Sequence, residues 1–376
     1  MSNARKLADN LPTDGQLSGR NVLQNGQMTI AQRGTSFDTN GTSNAEIQLV
    51  DRWMAVRRAT SGALTYDATI TQSTDTPTGF DKSLKVDVDT AQTPTGSDNA
   101  LIVQKIEGQN LQQFGWGSSD AKPITLSFWV KSNKTGTYCI QTRYTANSDS
   151  GLYEYSISSS GVWEHKTLTI PANTSLTLAS TNTTGMEIMF SLAVGSSDHA
   201  AVSNSLSTTG FRATSNQVNL FDNASNYWQI TGVQMEVGSQ ASPFEHELVG
   251  VTLAKCQRYF HKLKGPVHAH PMWTYGGTTA STNFKISPEM RTTPSVSFTG
   301  TTASNSAAGN TDDNFSAYSH NAWRGTNNNG VTYGGTSGSN SQSIRINIQP
   351  SSNFPAGYSA GLYYGSNCSI NLDAEL

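Results

Sequence analysis

Charged residues are scarce in this sequence of 376 residues. They make up 14% of the chain, and the formal net charge is only −3, whereas about 25% of an average globular protein is charged. Without a basic excess there is no electrostatic basis for nucleic-acid binding, so we expect no nucleic-acid partner. Long apolar runs are missing as well. None approaches the ~20 residues that cross a bilayer, so we expect no membrane insertion.

Cysteine is also scarce, with three residues far apart at Cys139, Cys256 and Cys368. An odd and sparse set argues against a disulfide framework. The first ten residues lack the apolar core of a signal peptide. These absences predict a protein that is made in the cytoplasm and is not exported by the general secretion route.

Most of the remaining composition is Ser, Thr, Asn and Gly, with 33 glycines. Threonine suits strands, whereas Gly, Asn and Ser suit turns. The chain has 7 Trp, 13 Tyr and 13 Phe, and these rings argue against disorder because disordered segments are poor in aromatics. The composition therefore predicts a folded, all-β protein of the extracellular type.

Alternating residues predict a jelly-roll β-sandwich over residues 21–247. Between positions 124 and 130, four apolar residues alternate with Thr125, Ser127 and Trp129, which is the pattern of a strand with one buried face. Further strands are predicted at 52–58, 84–88, 101–106, 138–144, 153–157, 163–170, 187–194 and 233–237. Eight or more short strands separated by polar turns are typical of a β-sandwich, most simply a jelly roll.

One connecting helix is predicted within residues 248–265, over 248–262. Val249, Leu253, Cys256 and Phe260 have the spacing of one apolar stripe, and the Gly-Pro pair at 265–266 ends the helix. His261 is then expected to be a charge near the helix end.

The two ends of the chain are predicted from their polarity. Residues 266–376 are expected to form a smaller C-terminal β-domain, distal or in a trimer contact. Residues 321–340 are expected to be long loops with little core. Because so little apolar content would leave this part unstable alone, we expect oligomerisation to bury it. Residues 1–20 are predicted to be a polar arm that docks in an assembly.

Several segments resemble marine and cyanobacterial phage fibre-like virion proteins. They bracket about two thirds of the chain, and 227–238 is the most specific of them. The segments are 21–28 (NVLQNGQM), 31–35 (AQRGT), 51–53 (DRW), 227–238 (YWQITGVQMEVG), 243–246 (PFEH), 256–260 (CQRYF) and 372–376 (LDAEL).

This resemblance implies a structural protein of the phage virion, released by lysis. The expected part is a tail-fibre or spike subunit that forms a homotrimer and attaches to host surface polysaccharide. Other virion proteins would bind the N-terminal arm, through Arg5, Lys6, Leu7 and Leu11. Two alternatives stay open: a capsid-decorating head fibre or cement protein, and a glycan depolymerase.

We predict that the protein is not an enzyme. The sequence has no Walker loop, nucleophile elbow, metalloprotease helix or paired-cysteine zinc site. Asp198 and His199 are adjacent, but adjacency in sequence does not make a catalytic pair. The closing segment also resembles that of carbohydrate-binding jelly rolls, which implies a structural calcium. Gln234 and Glu236 lie there without an Asp, which argues against calcium.

His268 and His270 suggest one further metal site. Side chains two apart in a strand face the same side, so three chains around an axis would offer six imidazoles to an axial transition metal. The alternative, which we favour, is an exposed loop between prolines with no metal.

Aromatic residues are candidate glycan contacts because a flat ring packs on the apolar face of a sugar. The candidates in polar, loop-like segments are Trp116, Trp273, Tyr275, Trp323 and Tyr333. Four other tryptophans lie in strand patterns and are expected in the core or on a sheet face: Trp53, Trp129, Trp163 and Trp228.

Overall fold

The computed structural model describes residues 18–39, 45–59, 67–144, 149–206, 210–275, 279–299, 301–302, 314–319, 322–324, 326–333, 339–350, 360–364 and 366–376. The chain divides into two compact units between Thr252 and Leu253. The predicted fold class is confirmed: a β-sandwich is followed by a short helix and then by smaller C-terminal sheets. No described helix has the length and apolarity needed to span a bilayer.

The first unit contains two antiparallel sheets. Its strands are β1 (Ser36–Asp38), β2 (Ala45–Gln48), β3 (Met54–Arg58), β4 (Asp67–Ser73), β5 (Ser83–Thr90), β6 (Asn99–Glu107), β7 (Ile124–Ser132), β8 (Gly136–Tyr144), β9 (Asp149–Ile157), β10 (Glu164–Ile170), β11 (Thr184–Val194), β12 (Ser203–Leu206) and β13 (Tyr227–Val237). The six-stranded sheet has the order β1-β4-β5-β13-β7-β10. The seven-stranded sheet has the order β12-β9-β8-β11-β6-β3-β2.

The core of the sandwich contains the inward-facing side chains of both sheets. The apolar residues of β7, among them Leu126 and Phe128, are fully buried as predicted, but Thr125 and Ser127 of its polar face are buried as well. Phe128 packs edge-on against Phe190 of the other sheet, with ring centroids 5.2 Å apart. Trp53 and Trp228 are also fully buried in this cluster.

The start of the sandwich pairs with its last strand in what we call the terminal clasp: Asn21, Val22, Gly26, Val233 and Met235. The Asn21 side chain donates to the Val233 carbonyl and accepts from the Met235 N–H, both at 3.0 Å. The Val22 N–H donates to the Met235 carbonyl, and the Val233 N–H donates to the Gly26 carbonyl, both again at 3.0 Å. The resembling segments 21–28 and 227–238 are therefore neighbours in space.

The second unit contains the remaining strands. They are β14 (Phe260–Lys264), β15 (Val267–Tyr275), β16 (Thr279–Lys285), β17 (Ser295–Thr299), β18 (Thr301–Thr302), β19 (Asn314–Ser319), β20 (Ala322–Arg324), β21 (Thr326–Tyr333), β22 (Ser343–Pro350), β23 (Ala360–Tyr364) and β24 (Ser369–Asp373). One sheet has the order β14-β24-β17, and the other has the order β18-β19-β23-β15-β16-β22-β21, with β20 paired to β19.

The C-terminal unit has a buried core of its own, although its low apolar content predicted that it would be unstable alone. Ile344, Ile346 and Ile348 of β22 are fully buried in a cluster that also contains Leu362 and Ile370. Residues 321–340 are also not simply loops, because β20 and β21 lie there. The polar strand β21 can form because β22, with which it pairs, supplies the apolar side chains.

The predicted helix is too long. The helix α1 (Val249–Gln257) ends early because β14 follows it and pairs with β24, with Phe260 opposite Asp373. His261 therefore lies in a strand and is not a helix-end charge, and burial lowers its pKa. The predicted stripe is also incomplete, since Cys256 is buried while Val249 is 63% exposed.

Candidate functional site

The outer face of the six-stranded sheet carries a partly exposed ring, at a tryptophan that was expected in the core or on a sheet face. Trp129 lies on the polar side of β7 and is partly exposed. Its register partner on β10 is His165, and the two ring centroids are 5.1 Å apart. Partial burial lowers the pKa of His165.

Gly232 brings a second ring against Trp129. This glycine lies at a bulge in β13 and has a left-handed φ of 61°. A Cβ atom at Gly232 would lie 2.6 Å from the Phe80 ring and 3.1 Å from the Trp129 ring. Both rings therefore pack over the same point of the backbone, which only glycine leaves open.

Phe80 continues the row of rings to the segment that follows β13. Its centroid lies 5.2 Å from that of Phe244 and 5.3 Å from that of His246. Trp129, Phe80 and Phe244 are partly exposed, and the two histidines are exposed. We call these five residues, His165, Trp129, Phe80, Phe244 and His246, the aromatic strip.

A hydrogen-bonded polar cluster lies on β7, β13 and the neighbouring loops. Asp75 accepts hydrogen bonds from Lys131 Nζ at 2.6 Å, Trp163 Nε1 at 3.2 Å and Gln229 Nε2 at 3.2 Å. Partial burial acts to raise the pKa of Asp75, but these hydrogen bonds and the Lys131 charge lower it below its usual value. We call these four residues the Asp75 cluster.

The combination of rings and polar groups suits one kind of ligand. Partly exposed rings offer apolar area without the rotamer entropy of long aliphatic chains. The Asp75 cluster offers a fixed carboxylate and an ammonium, whereas its Gln229 amide is buried. A sugar has the complementary character, with apolar C–H faces and hydroxyl groups at its edges.

Trp116 is not part of this surface. It is 7% exposed, its Nε1 donates to the Lys122 carbonyl at 2.7 Å, and its ring packs against Phe114 and Tyr144. The prediction of a ring available to a glycan is therefore wrong at this position. The two glycines beside Trp116 suggested a loop. At Gly117, however, Thr177 packs where a Cβ atom would lie, so this position requires glycine.

The C-terminal candidates lie in strands and not in loops. Trp273 is 40% exposed on β15, with the Arg345 guanidinium 5.9 Å from its ring centroid, and it stays a predicted contact. Tyr275, Trp323 and Tyr333 lie on β15, β20 and β21. Their side chains lie outside the described residues.

The two candidate metal ligands lie on β15, where a bulge between Val267 and His270 interrupts the alternation on which the shared-face argument depended. His270 Nδ1 lies 3.0 Å from Thr282 Oγ1, and its ring packs on Phe284. The side chain of His268 lies outside the described residues. Among the described side chains, no three metal-binding groups come together.

The residues predicted to attach the N-terminal arm to other virion proteins, Arg5, Lys6, Leu7 and Leu11, lie outside the described residues.

Next to the terminal clasp, the Gln234 amide donates to Glu236 Oε1 at 2.9 Å. Ser242 also donates to Glu236 through its N–H and its hydroxyl. Gln234, Glu236 and Ser242 are therefore joined by hydrogen bonds.

A groove lies at the edge of the seven-stranded sheet. It has a volume of about 470 Å³, and its lining includes Glu154, His199, Val202, Thr214 and Asn216. None of its described lining residues is Trp, Tyr or Phe. The groove therefore offers hydrogen bonds and the imidazole of His199, but no large apolar ring on which a sugar could stack.

Comparisons with known proteins find distant structural similarity only. No protein-family model and no curated protein matches this chain. The enzymatically active domain of tailspike protein 4 from bacteriophage CBA120 is 16% identical, with a TM-score of 0.28 over 50% of this chain and 19% of that chain. The xylan-binding domain from CBM 22 is 13% identical, with a TM-score of 0.29 over 60% of this chain and 99% of that chain.

A third similar structure is the family 11 carbohydrate-binding module from Clostridium thermocellum, solved with a mixed-linked tetrasaccharide. It is 11% identical, with a TM-score of 0.26 over 56% of this chain and 97% of that chain. Similarity this distant does not transfer a ligand or an activity.

Proposed function

We propose that this protein binds glycans through the aromatic strip and does not cleave them. The observation that carries the proposal is the continuous row of partly exposed rings on an otherwise polar sheet face. A Trp on the solvent side of a strand costs apolar exposure unless a ligand or a partner covers it. The adjacent Asp75 cluster would fix the orientation of the sugar through its hydroxyl groups.

The ionisation of the carboxyl group beside the strip supports binding without turnover. Partial burial acts to raise the pKa of Asp75, but its hydrogen bonds and the Lys131 charge lower it. A glycosidase needs one carboxylic acid with a raised pKa to protonate the leaving group, and Asp75 does not have that property.

We further propose that the protein is a subunit of a phage tail fibre or spike, located in the virion. The support is the resemblance of its opening and closing segments to phage fibre-like proteins. Two of these segments form the terminal clasp, and 243–246 supplies Phe244 and His246 to the aromatic strip. Many weak contacts, repeated over copies of the subunit, would add up to firm attachment.

A homotrimer is part of the proposal. An exposed apolar run at the start of α1 supports a contact between copies, since Leu248 is 80%, Val249 63% and Val251 46% exposed. Sedimentation velocity of the full chain at micromolar concentration is expected to give a trimer. A single monomeric species would contradict this part of the proposal and leave glycan binding untouched.

Two other assignments give different results in simple assays. A capsid-decorating or cement protein would be labelled on the head when an antibody to this chain is imaged on phage particles, whereas a fibre subunit would be labelled on the tail. A depolymerase would release reducing ends from host polysaccharide, whereas the proposed binding protein would release none.

Trp129→Ala is expected to weaken binding to host surface polysaccharide by at least tenfold, because the central ring of the strip is lost. A tenfold change corresponds to about 1.4 kcal/mol, which is within the range of a single stacked ring. The measurement is affinity electrophoresis in gels that contain the polysaccharide.

Trp273→Ala is the matched control, because it removes an exposed tryptophan from the other unit. If Trp273→Ala abolishes binding while Trp129→Ala does not, the site lies on the C-terminal unit. If neither change affects the retardation, the aromatic strip is not the binding surface.

A further inference from the structure

Two lysines on the face of the aromatic strip, Lys131 and Lys85, are held by carboxylates. Each of these two ammonium groups lies within hydrogen-bond distance of an acidic partner, so the pairs contribute no net charge to the face. The ion pairs are Lys131–Asp75 at 2.6 Å and Lys85–Asp87 at 2.7 Å.

The charged residues next to Phe80 add no net charge. Asp81 and Lys82 follow Phe80 and contribute one charge of each sign. Partial burial lowers the pKa of His165, which disfavours the charged form of this ring. The strip therefore lies on a face whose charges cancel, although charged side chains are close to it.

An acidic polysaccharide would be a poor ligand for such a face. Its carboxylate, sulfate or phosphate groups need a cation that is free to pair with them. Lys131 already donates to Asp75 and lies 5.9 Å from the Trp163 ring centroid. Recruiting Lys131 to a ligand would leave the Asp75 carboxylate unpaired, and that carboxylate would repel the ligand anion.

A neutral sugar needs none of these cations. The rings cover its apolar faces, while the exposed hydroxyl of Thr167 can exchange hydrogen bonds with its hydroxyl groups. We propose that the aromatic strip binds a neutral polysaccharide, one whose repeating units carry hydroxyl or N-acetyl groups and no acidic group. This inference rests on the proposed glycan-binding function and names its ligand class.

The test is affinity electrophoresis of the full chain in two sets of gels. One set contains mixed-linkage β-glucan, arabinoxylan or galactomannan, and the other contains alginate, polygalacturonate or dextran sulfate. We expect retardation in at least one neutral gel and in no anionic gel at about 150 mM sodium chloride. The neutral retardation should persist at about 1 M salt, where the screening length is about 3 Å.

Asp75→Asn supplies a gain-of-binding control. The substitution keeps an acceptor oxygen near Trp163 and Gln229 but frees the Lys131 ammonium. We expect this variant to be retarded by polygalacturonate at low salt, in a gel that does not retard the wild type. Unchanged migration of the variant would contradict the argument that Asp75 occupies Lys131.

The outcomes separate this inference from the proposed function. If the wild type is retarded by anionic polymers and Trp129→Ala is not, the protein binds glycans through the strip and the neutral-ligand inference is wrong. If no polymer of either set retards the wild type, the glycan-binding proposal itself fails.

Discussion

Gly26→Ala should destabilise the sandwich by about 3 kcal/mol or more, because the new methyl group would meet backbone and not a movable side chain. A Cβ atom at position 26 would lie 2.1 Å from the Val233 carbonyl oxygen. Relief requires the first segment to move away from β13, and the Val233 N–H to Gly26 carbonyl bond at 3.0 Å would then be lost. Overpacking and a broken buried hydrogen bond each cost about 1–3 kcal/mol.

β13 cannot move instead, because it lies inside the six-stranded sheet between β5 and β7. The loss of stability therefore comes from opening the terminal clasp. Unfolding in guanidinium chloride, followed by far-UV circular dichroism, measures the loss as a lower midpoint.

Gly250→Ala is the matched control. Position 250 lies in α1, and a Cβ atom there would meet nothing within 4 Å. Alanine in a helix is favoured over glycine by about 0.5–1 kcal/mol, so this variant should unfold at the wild-type midpoint or slightly above it. An unchanged midpoint for Gly26→Ala would mean that the terminal clasp does not hold the sandwich closed.

Strands with their own alternation could be predicted from the sequence, and strands that depend on distant partners could not. β7 and β13 have apolar residues at every second position over five residues or more, so local periodicity is sufficient. β14 lies in a stretch with helical spacing, but its partner β24 is more than a hundred residues away, with Phe260 opposite Asp373. Pairing at that separation is invisible to a local pattern, which is why the helix was predicted too long.

For the same reason, only part of the candidate site could be predicted from the sequence. Trp129 could have been selected, since it lies on the polar side of an otherwise regular strand, where a large ring needs a reason. Phe80 and Phe244 gave no such signal. Their place beside Trp129 depends on the left-handed conformation of Gly232 and on the path of the segment after β13, and both are properties of the tertiary fold.

Phe128→Ala should cost the sandwich about 3–5 kcal/mol, which is the usual range for truncating a buried Phe. Phe128 is fully buried, and its ring packs edge-on against Tyr155 at 5.1 Å and Phe190 at 5.2 Å. The truncation would leave a cavity between the two sheets that these neighbouring rings cannot fill. For a domain of this size, 1 kcal/mol lowers Tm by about 2–4 °C, so calorimetry should show a fall of roughly 10 °C.

Trp129→Ala is the natural comparison, because the two residues are neighbours on β7 and face opposite sides of the sheet. Its partly exposed ring leaves little cavity when removed, so we expect a loss below about 1 kcal/mol. The effects on glycan binding should be the opposite of those on stability. Trp129→Ala should impair binding, whereas Phe128→Ala, measured below its Tm, should retain it. If Trp129→Ala were as destabilising as Phe128→Ala, the ring would serve the fold. The aromatic strip would then need no ligand to account for it.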